Sequence, residues 1–264
     1  MSGLKLLSLL SRRQGVEPEN SKTLQAQHRP IAFFSHHKCG TDWLSRYLNE
    51  FCRLNRLSLF CTHRSYENAP QSAQVTSLVN AEYNYASANY EGGIHIIRNP
   101  LDVVVSAYYS HLRTHPLDGW PSLEAQRRVI ANTDAHSGFI LTTAFLERDD
   151  FYDGAVGPLH ALRHWDFNDD RFKTIRLEDL VTSPRHYLTE TLSGQFHSSQ
   201  LPKDEEFSFE SIAGRPIGTV DDTSHYRSGQ AEQWRTELPD ALVDYIRAHY
   251  APILEQFYPA SLCN

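Results

Sequence analysis

Lys38 stands two residues ahead of Gly40, in a short polar loop that follows the apolar run Ile31-Ala32-Phe33-Phe34. Beyond the loop, Trp43, Leu44, Tyr47, Leu48 and Phe51 recur at helical spacing, so the stretch reads as buried strand, tight turn and helix. That order aims free backbone N–H groups and the positive end of a helix at an anion. Gly40 would let the backbone come close, and Lys38 would add a full positive charge. The nucleotide-binding signature G-x-x-x-x-G-K-S/T is absent, because here the lysine precedes the glycine. An ordinary strand-to-helix turn with a surface lysine fits the same residues equally well.

A second set is Arg98-Asn99-Pro100-Leu101-Asp102, with Ser106 further on. Three valines at 103–105 favour a strand by propensity. The punctuation favours a helix: Asn99 suits the N-cap, Pro100 the first helical position and Asp102 the third, as in a capping box. Ser106 would then lie about two turns in, roughly 10 Å along the axis, where its hydroxyl and the Arg98 guanidinium can meet one phosphate. Taken alone, an arginine capping a strand end and a small serine in a packed helix is the simpler reading. His160 and His164 share a helical face, yet no Glu of the H-E-x-x-H kind and no third ligand accompanies them. No metal is expected.

These residues need strands to present them. Short apolar runs at 31–34, 57–61, 94–97 and 172–177 read as strands, and 65–93 as mixed helix and loop. Residues 126–148 read as largely helical, 159–165 as a further helix, and 177–180 as a strand end and turn before a helix opened by Ser183-Pro184. Leu242, Ile246, His249, Ile253 and Phe257 mark a last helix, bent near Pro252, that covers the sheet. Strands alternating with helices over 264 residues describe one well-cored α/β domain. Residues 1–29 read as a flexible arm and 30–264 as the domain.

A net charge of −7 argues against general nucleic-acid binding, so any anion site must be a local concentration of positive charge. Cys39, Cys52, Cys61 and Cys263 show neither C-x-x-C nor zinc spacing and suit reduced thiols of an intracellular protein. No run approaches the ~18 apolar residues of a membrane span. Leu4–Leu10 lacks a basic leader and a cleavage site, which argues against a secretory signal. A cytoplasmic location follows as the expectation.

The loop His37-Lys38-Cys39-Gly40-Thr41-Asp42-Trp43 resembles the phosphosulfate loop of the sulfotransferases, Pro-Lys-x-Gly-Thr-Thr-Trp, with His37 for Pro and Asp42 for the second Thr. The run Arg98–Tyr109 is similar to that family's 3′-phosphate motif, Arg-(Asp/Asn)-Pro-x-Asp-x-x-x-Ser-x-Tyr-Tyr, at every fixed position. Leu177-Glu178-Asp179-Leu180 resembles Tyr-Glu-Asp-Leu and is taken as structural. Arg227-Ser228-Gly229 with Trp234-Arg235 resembles the late Arg-Lys-Gly-x-x-Gly-Asp-Trp-Lys loop, with one positive charge and one glycine lost. The pieces stand in the family's order and span 31 to about 258.

The resemblance implies a single P-loop-like three-layer α/β domain, its central, mostly parallel sheet flanked by helices. It implies 3′-phosphoadenosine 5′-phosphosulfate as donor and 3′-phosphoadenosine 5′-phosphate as product, with no metal. Amides of Cys39, Gly40, Thr41 and Asp42 would hold the phosphosulfate, and Trp43 would contact adenine. Arg98, Ser106 and Arg227, with the Ser228 and Gly229 amides, would hold the 3′-phosphate, and Lys38 would neutralise the leaving oxygen. His63, in Cys61-Thr62-His63, sits where many members carry a Thr-His, and is the expected general base. A strand-end histidine bonded to backbone is its plain alternative, and His111 and Glu67 are the other candidates. Asp42 would oppose a dianion unless its carboxylate pairs, for example with Arg46 one turn on. The acceptor is a small molecule or carbohydrate offering a hydroxyl or amine, and a homodimer is left open. A catalytically inactive 3′-phosphonucleotide binder and a P-loop kinase are the alternatives.

Overall fold

The computed structural model describes residues 30–63, 67–195 and 200–263. The expected arm at 1–29 lies outside the described residues. The chain opens with β1 (Ile31–Ser35) and α1 (Thr41–Asn55), then β2 (Leu59–Thr62) and β3 (Val75–Val79), α2 (Tyr83–Asn89) and β4 (Gly93–Ile97). Next come α3 (Pro100–Tyr109), α4 (Pro121–Ile130), α5 (Ala135–Leu146), α6 (Pro158–His164) and β5 (Phe172–Arg176). The remainder is α7 (Leu177–Thr182), α8 (Pro184–Gln195), α9 (Phe209–Ala213), α10 (Trp234–Glu237), α11 (Asp240–His249) and α12 (Ala251–Phe257). All strand pairs are parallel, in the order β2-β3-β1-β4-β5.

β1 is the middle strand, which explains its unbroken apolar run. Ile31 and Phe33 join the core under α1, with Trp43, Leu44, Tyr47 and Leu48. Ala32 and Phe34 face the opposite layer, among Ala86, Trp165 and Phe172. A parallel strand covered on both faces shows no alternation.

The structure differs from the sequence expectation at several elements. β3 was hidden in the segment read as mixed helix and loop, because Thr76 and Ser77 interrupt its apolar pattern although both are buried. Its Thr76 hydroxyl donates to the Ile31 carbonyl at 3.5 Å. β2 starts at Leu59 rather than Leu57. The long helix expected over 126–148 is two, separated at 131–134, where the Asp134 side chain accepts from the Ser137 amide at 3.0 Å to cap α5. Residues Leu177–Thr182 form a short helix rather than a turn. The C-terminal break falls at Tyr250, and Pro252 lies in the first turn of α12. α11 and α12 bury Leu242, Ile246, Ile253 and Leu254 in the core built around α3, so they cover the helix layer rather than the sheet itself.

Candidate active site

The β1–α1 loop carries two left-handed residues, Lys38 at φ 66° and Gly40 at φ 76°. A side chain costs energy in this region, so Lys38 is held there by its surroundings. The Cys39 amide donates to the His36 carbonyl at 2.9 Å and closes the turn. A Cβ on Gly40 would lie 2.3 Å from Leu177 Cδ1, so the start of α7 fits against this glycine. Gly40 is the N-cap of α1 and offers no side chain to the first-turn amides. The loop therefore points uncapped N–H groups and the helix dipole outward. Thr41 is the first residue of α1 and half-buried.

Positive charge converges on this loop. Lys38 is buried, and burial followed by the Arg98 charge brings its ammonium down to about 7. The Arg98 guanidinium donates to the Lys38 carbonyl at 3.2 Å. Arg98 thus stands beside the loop, as its place at the end of β4 requires. Burial pushes the neighbouring Cys39 thiol up to about 12, which leaves it uncharged.

The start of α3 is fixed from several sides. Asn99 accepts from the Leu101 amide at 3.1 Å and donates to Ser261 Oγ at 2.8 Å. Its own amide donates to Glu178 Oε1 at 3.2 Å, and the Tyr258 hydroxyl donates to Glu178 Oε2 at 3.1 Å. Asp102 does not complete the expected capping box. It is buried and accepts from the amides of Glu232 at 2.7 Å and Trp234 at 3.3 Å, which ties α3 to the late loop. Ser106 is half-buried inside α3.

In that late loop, Arg227 lies over the Tyr109 ring, 3.6 Å from its centroid. It donates to Asp222 at 2.7 Å, Gln233 at 2.5 Å and Glu237 at 3.1 Å. Tyr109 is one turn beyond Ser106, so the guanidinium reaches the helix that carries the expected 3′-phosphate residues. Ser228 is buried and accepts at Oγ from the Gln230 amide at 3.2 Å. Gly229 has φ 68°, and a Cβ there would meet the Phe209 ring at 2.5 Å.

Asp42 pairs with Arg46 at 2.8 Å and also accepts from the Tyr226 hydroxyl at 2.5 Å. Burial would raise its carboxyl, but the hydrogen bonds from Tyr226 and Arg46 prevail and hold it below the usual range. The carboxylate therefore joins α1 to the late loop. Trp43 is buried, stacked on Tyr47 at 5.2 Å, and donates to the Phe207 carbonyl at 2.9 Å. In this arrangement it fastens the turn at 204–207 to α1.

Histidines surround the loop on both sides of the sheet. His36 and His95 share a bond at 2.7 Å between their Nε2 atoms, and His37 and His111 share one at 2.8 Å. His111 Nδ1 donates to Gln126 Oε1 at 2.8 Å, so its Nε2 must accept from His37. His36 Nδ1 is buried without a hydrogen-bond partner, so it is the unprotonated nitrogen, since an orphaned lone pair costs less than an orphaned N–H. His63 is exposed at the end of the edge strand β2, with β3 between it and β1. Glu67 accepts from the Thr62 hydroxyl at 2.6 Å beside it. Asn80, at the end of β3, accepts from the His37 amide at 3.2 Å and donates to the His63 carbonyl at 3.3 Å.

Sequence reasoning passed over Asn80, Tyr226 and Glu178, and misread Asp102. Glu178 lay in a motif treated as structural, and Asp102 was a fixed motif position, so both carried a signal. Asn80 and Tyr226 carried none that a linear reading could use.

Among curated proteins none matches the chain. Of solved structures, the mouse sulfotransferase SULT7A1 complexed with PAP matches with a TM-score of 0.54 and 14% identity, over 87% of this chain and 86% of that one. A retinol dehydratase in complex with androsterone and the inactive cofactor PAP matches with a TM-score of 0.49 and 11% identity, over 86% and 81%. The family model described as the sulfotransferase domain matches residues 93–258, from β4 through the Arg98 helix and the Arg227 loop to the end of α12. With that span and a parallel sheet of the same fold, the chain belongs to the sulfotransferase domain family and is a sulfotransferase.

Proposed function

We propose that the enzyme moves the sulfuryl group of 3′-phosphoadenosine 5′-phosphosulfate onto a hydroxyl or amine of a small-molecule or carbohydrate acceptor. The observation that carries this reading is the convergence of Lys38 and Arg98 on an uncapped helix N-terminus in a chain of net charge −7. The amides of residues 39–42 suit the 5′-phosphosulfate, and Lys38 would neutralise charge on the bridging oxygen as its bond to sulfur breaks. Arg98, Ser106 and Arg227 suit the 3′-phosphate. Arg227 holds two carboxylates in this arrangement, so a phosphate would replace part of an existing charge pairing rather than meet a bare cation. Positioning and charge stabilisation should carry most of the rate of the in-line attack.

Calorimetric titration tests the nucleotide. The 3′-phosphorylated product should bind far more tightly than adenosine 5′-phosphate or ATP with magnesium. Arg98→Ala should erase most of that preference, by about 1.5–3 kcal/mol for a lost charge-assisted bond. Equal losses for nucleotides with and without the 3′-phosphate would remove Arg98 from the site. Labelled donor offered to a panel of phenols, alcohols, sugars and amines then separates a transferase from an inactive binder.

A further inference from the structure

Attack by a hydroxyl requires somewhere for its proton to go. One of the two strands beside β1 is β3, and the residue at its end is Asn80, an amide that cannot take a proton and is bonded on both sides. His63 belongs to the next strand out. His111 has both ring nitrogens engaged, one with His37 and one with Gln126.

His115 is placed differently. α3 ends in a π turn over Ser110–Thr114, and the His115 amide closes it on the Ser110 carbonyl at 2.8 Å. Such wide turns recur at functional sites because they re-aim the residue that follows. The ring sits 5.1 Å from the His37 ring and 5.1 Å from that of Trp120, with that of His111 at 6.0 Å. Its Nδ1 lies 2.9 Å from the Pro116 carbonyl oxygen, which can only accept. Nδ1 therefore carries the proton, and Nε2 presents a lone pair on a half-buried ring.

We propose that His115 is the general base of the transfer, its Nε2 taking the acceptor proton. This rests on the sulfuryl-transfer reading above. The acceptor O–H bond breaks, and its electron pair forms the new bond to sulfur. The proton goes to Nε2, giving an imidazolium whose Nδ1–H stays on the Pro116 carbonyl. The pair from the broken S–O bond remains on the 5′-phosphate, neutralised by Lys38, and the half-buried ring then returns its proton to solvent. The His37 and His111 rings pack beside this imidazole, Arg127 donates to the His115 carbonyl at 2.6 Å, and the charges of Lys38, His225 and Arg127 act on the ring. Burial brings the ring down to about 4; the hydrogen bond to the Pro116 carbonyl opposes it, and the smaller effects of the Lys38, His225 and Arg127 charges add to the lowering. A bound phosphosulfate would offset the Lys38 charge and raise it.

Two measurements test the assignment. The first is turnover of labelled donor with phenols of graded acidity. His115→Gln and His115→Phe, the latter keeping a packed ring without nitrogen, should lose about 10²–10⁴-fold in kcat with weakly acidic phenols. The loss should shrink toward the most acidic phenols, which are already ionised, while affinity for 3′-phosphoadenosine 5′-phosphate is kept. An active His115→Phe, or a loss that follows His63, His37 or His225 instead, overturns the proposal. The second is nitrogen NMR of labelled histidines. His115 should show the Nδ1–H tautomer, and its titration should move upward when 3′-phosphoadenosine 5′-phosphate is added. The other tautomer, or an unmoved titration, overturns it as well. Transfer by the unaltered enzyme to no acceptor at all overturns the sulfuryl-transfer reading and the base with it, whereas turnover that survives in His115→Phe overturns the base alone.

Discussion

At the residue scale, Lys38 makes the most direct prediction. In the free protein its pKa is brought down to about 7 by burial and then by Arg98, and a bound dianion would push it back up. Binding of the 3′,5′-bisphosphate near pH 8 should therefore take up close to one proton. Affinity should fall as pH rises above about 7, by up to about tenfold per unit, until the bound-state value is passed. Calorimetry in two buffers of different ionisation enthalpy reads that uptake directly, and Lys38→Met should abolish it. The same variant should lower kcat much more than donor affinity, because the charge on the bridging oxygen is largest in the transition state. Binding without proton uptake would mean that Lys38 is already charged in the free enzyme. Lys38 and Arg98 were legible because each is explained by its immediate neighbours: a strand end, a glycine, a helix cap. Asn80 was not, its His37 partner lying 43 residues away in the chain, and Asp102, though a fixed motif position, was misread because its Glu232 partner lies 130 residues away.

At the scale of elements, the surprise is Asp42. A carboxylate at the mouth of the proposed anion site looks costly until α1 and the late loop are seen together. Its bonds to Arg46 and Tyr226 fasten that loop across 184 residues of sequence. Asp42→Ala should then weaken binding of the 3′,5′-bisphosphate, not tighten it. Asp42 and Arg46 are substantially exposed, so solvent screening limits the effect to roughly 1 kcal/mol, about fivefold. The change should fall mainly in the dissociation rate. Tyr226→Phe should reproduce it, and the double variant should add little more, since both remove one bond. Tighter binding in Asp42→Ala would show that charge repulsion outweighs the latch. Elements with strong periodicity, such as α1, or strong punctuation, such as α3, were readable from sequence. β3 was not: Thr76 and Ser77 are buried in the middle of the sheet, and only the neighbouring strands reveal that. The split between α4 and α5 was missed because both flanks are helical and only Asp134 marks the restart.

At the scale of the whole molecule, the parallel sheet brings the ends of β1, β3 and β4 together, so residues far apart in sequence converge on one edge, as ligand sites do in open α/β sheets. The same convergence buries an uncommon set of imidazoles. His36, His37, His95 and His111 are all fully packed, and burial holds each below its ordinary value, His36 down to about 3. Unfolded, each would titrate near 6.5. Below that pH the unfolded chain binds protons that the native state refuses, so stability is present above about 6.5 and is lost as pH falls toward the native values. One such histidine costs up to about 1.4 kcal/mol per pH unit, and four together up to about 5. Against a typical stability of about 5–15 kcal/mol, the fold should fail within roughly one to three units below pH 6.5. Most of that loss would precede carboxylate protonation, which for ordinary groups is centred near 4. Urea unfolding at pH 7.5, 6.5 and 5.5 checks it: stability should fall by up to about 1.5 kcal/mol between the first two and by up to about 4 kcal/mol more to the third. A flat profile down to pH 5 would show that the buried pairs accept protons inside the fold, and that the hydrogen bonds between them stabilise a shared charge.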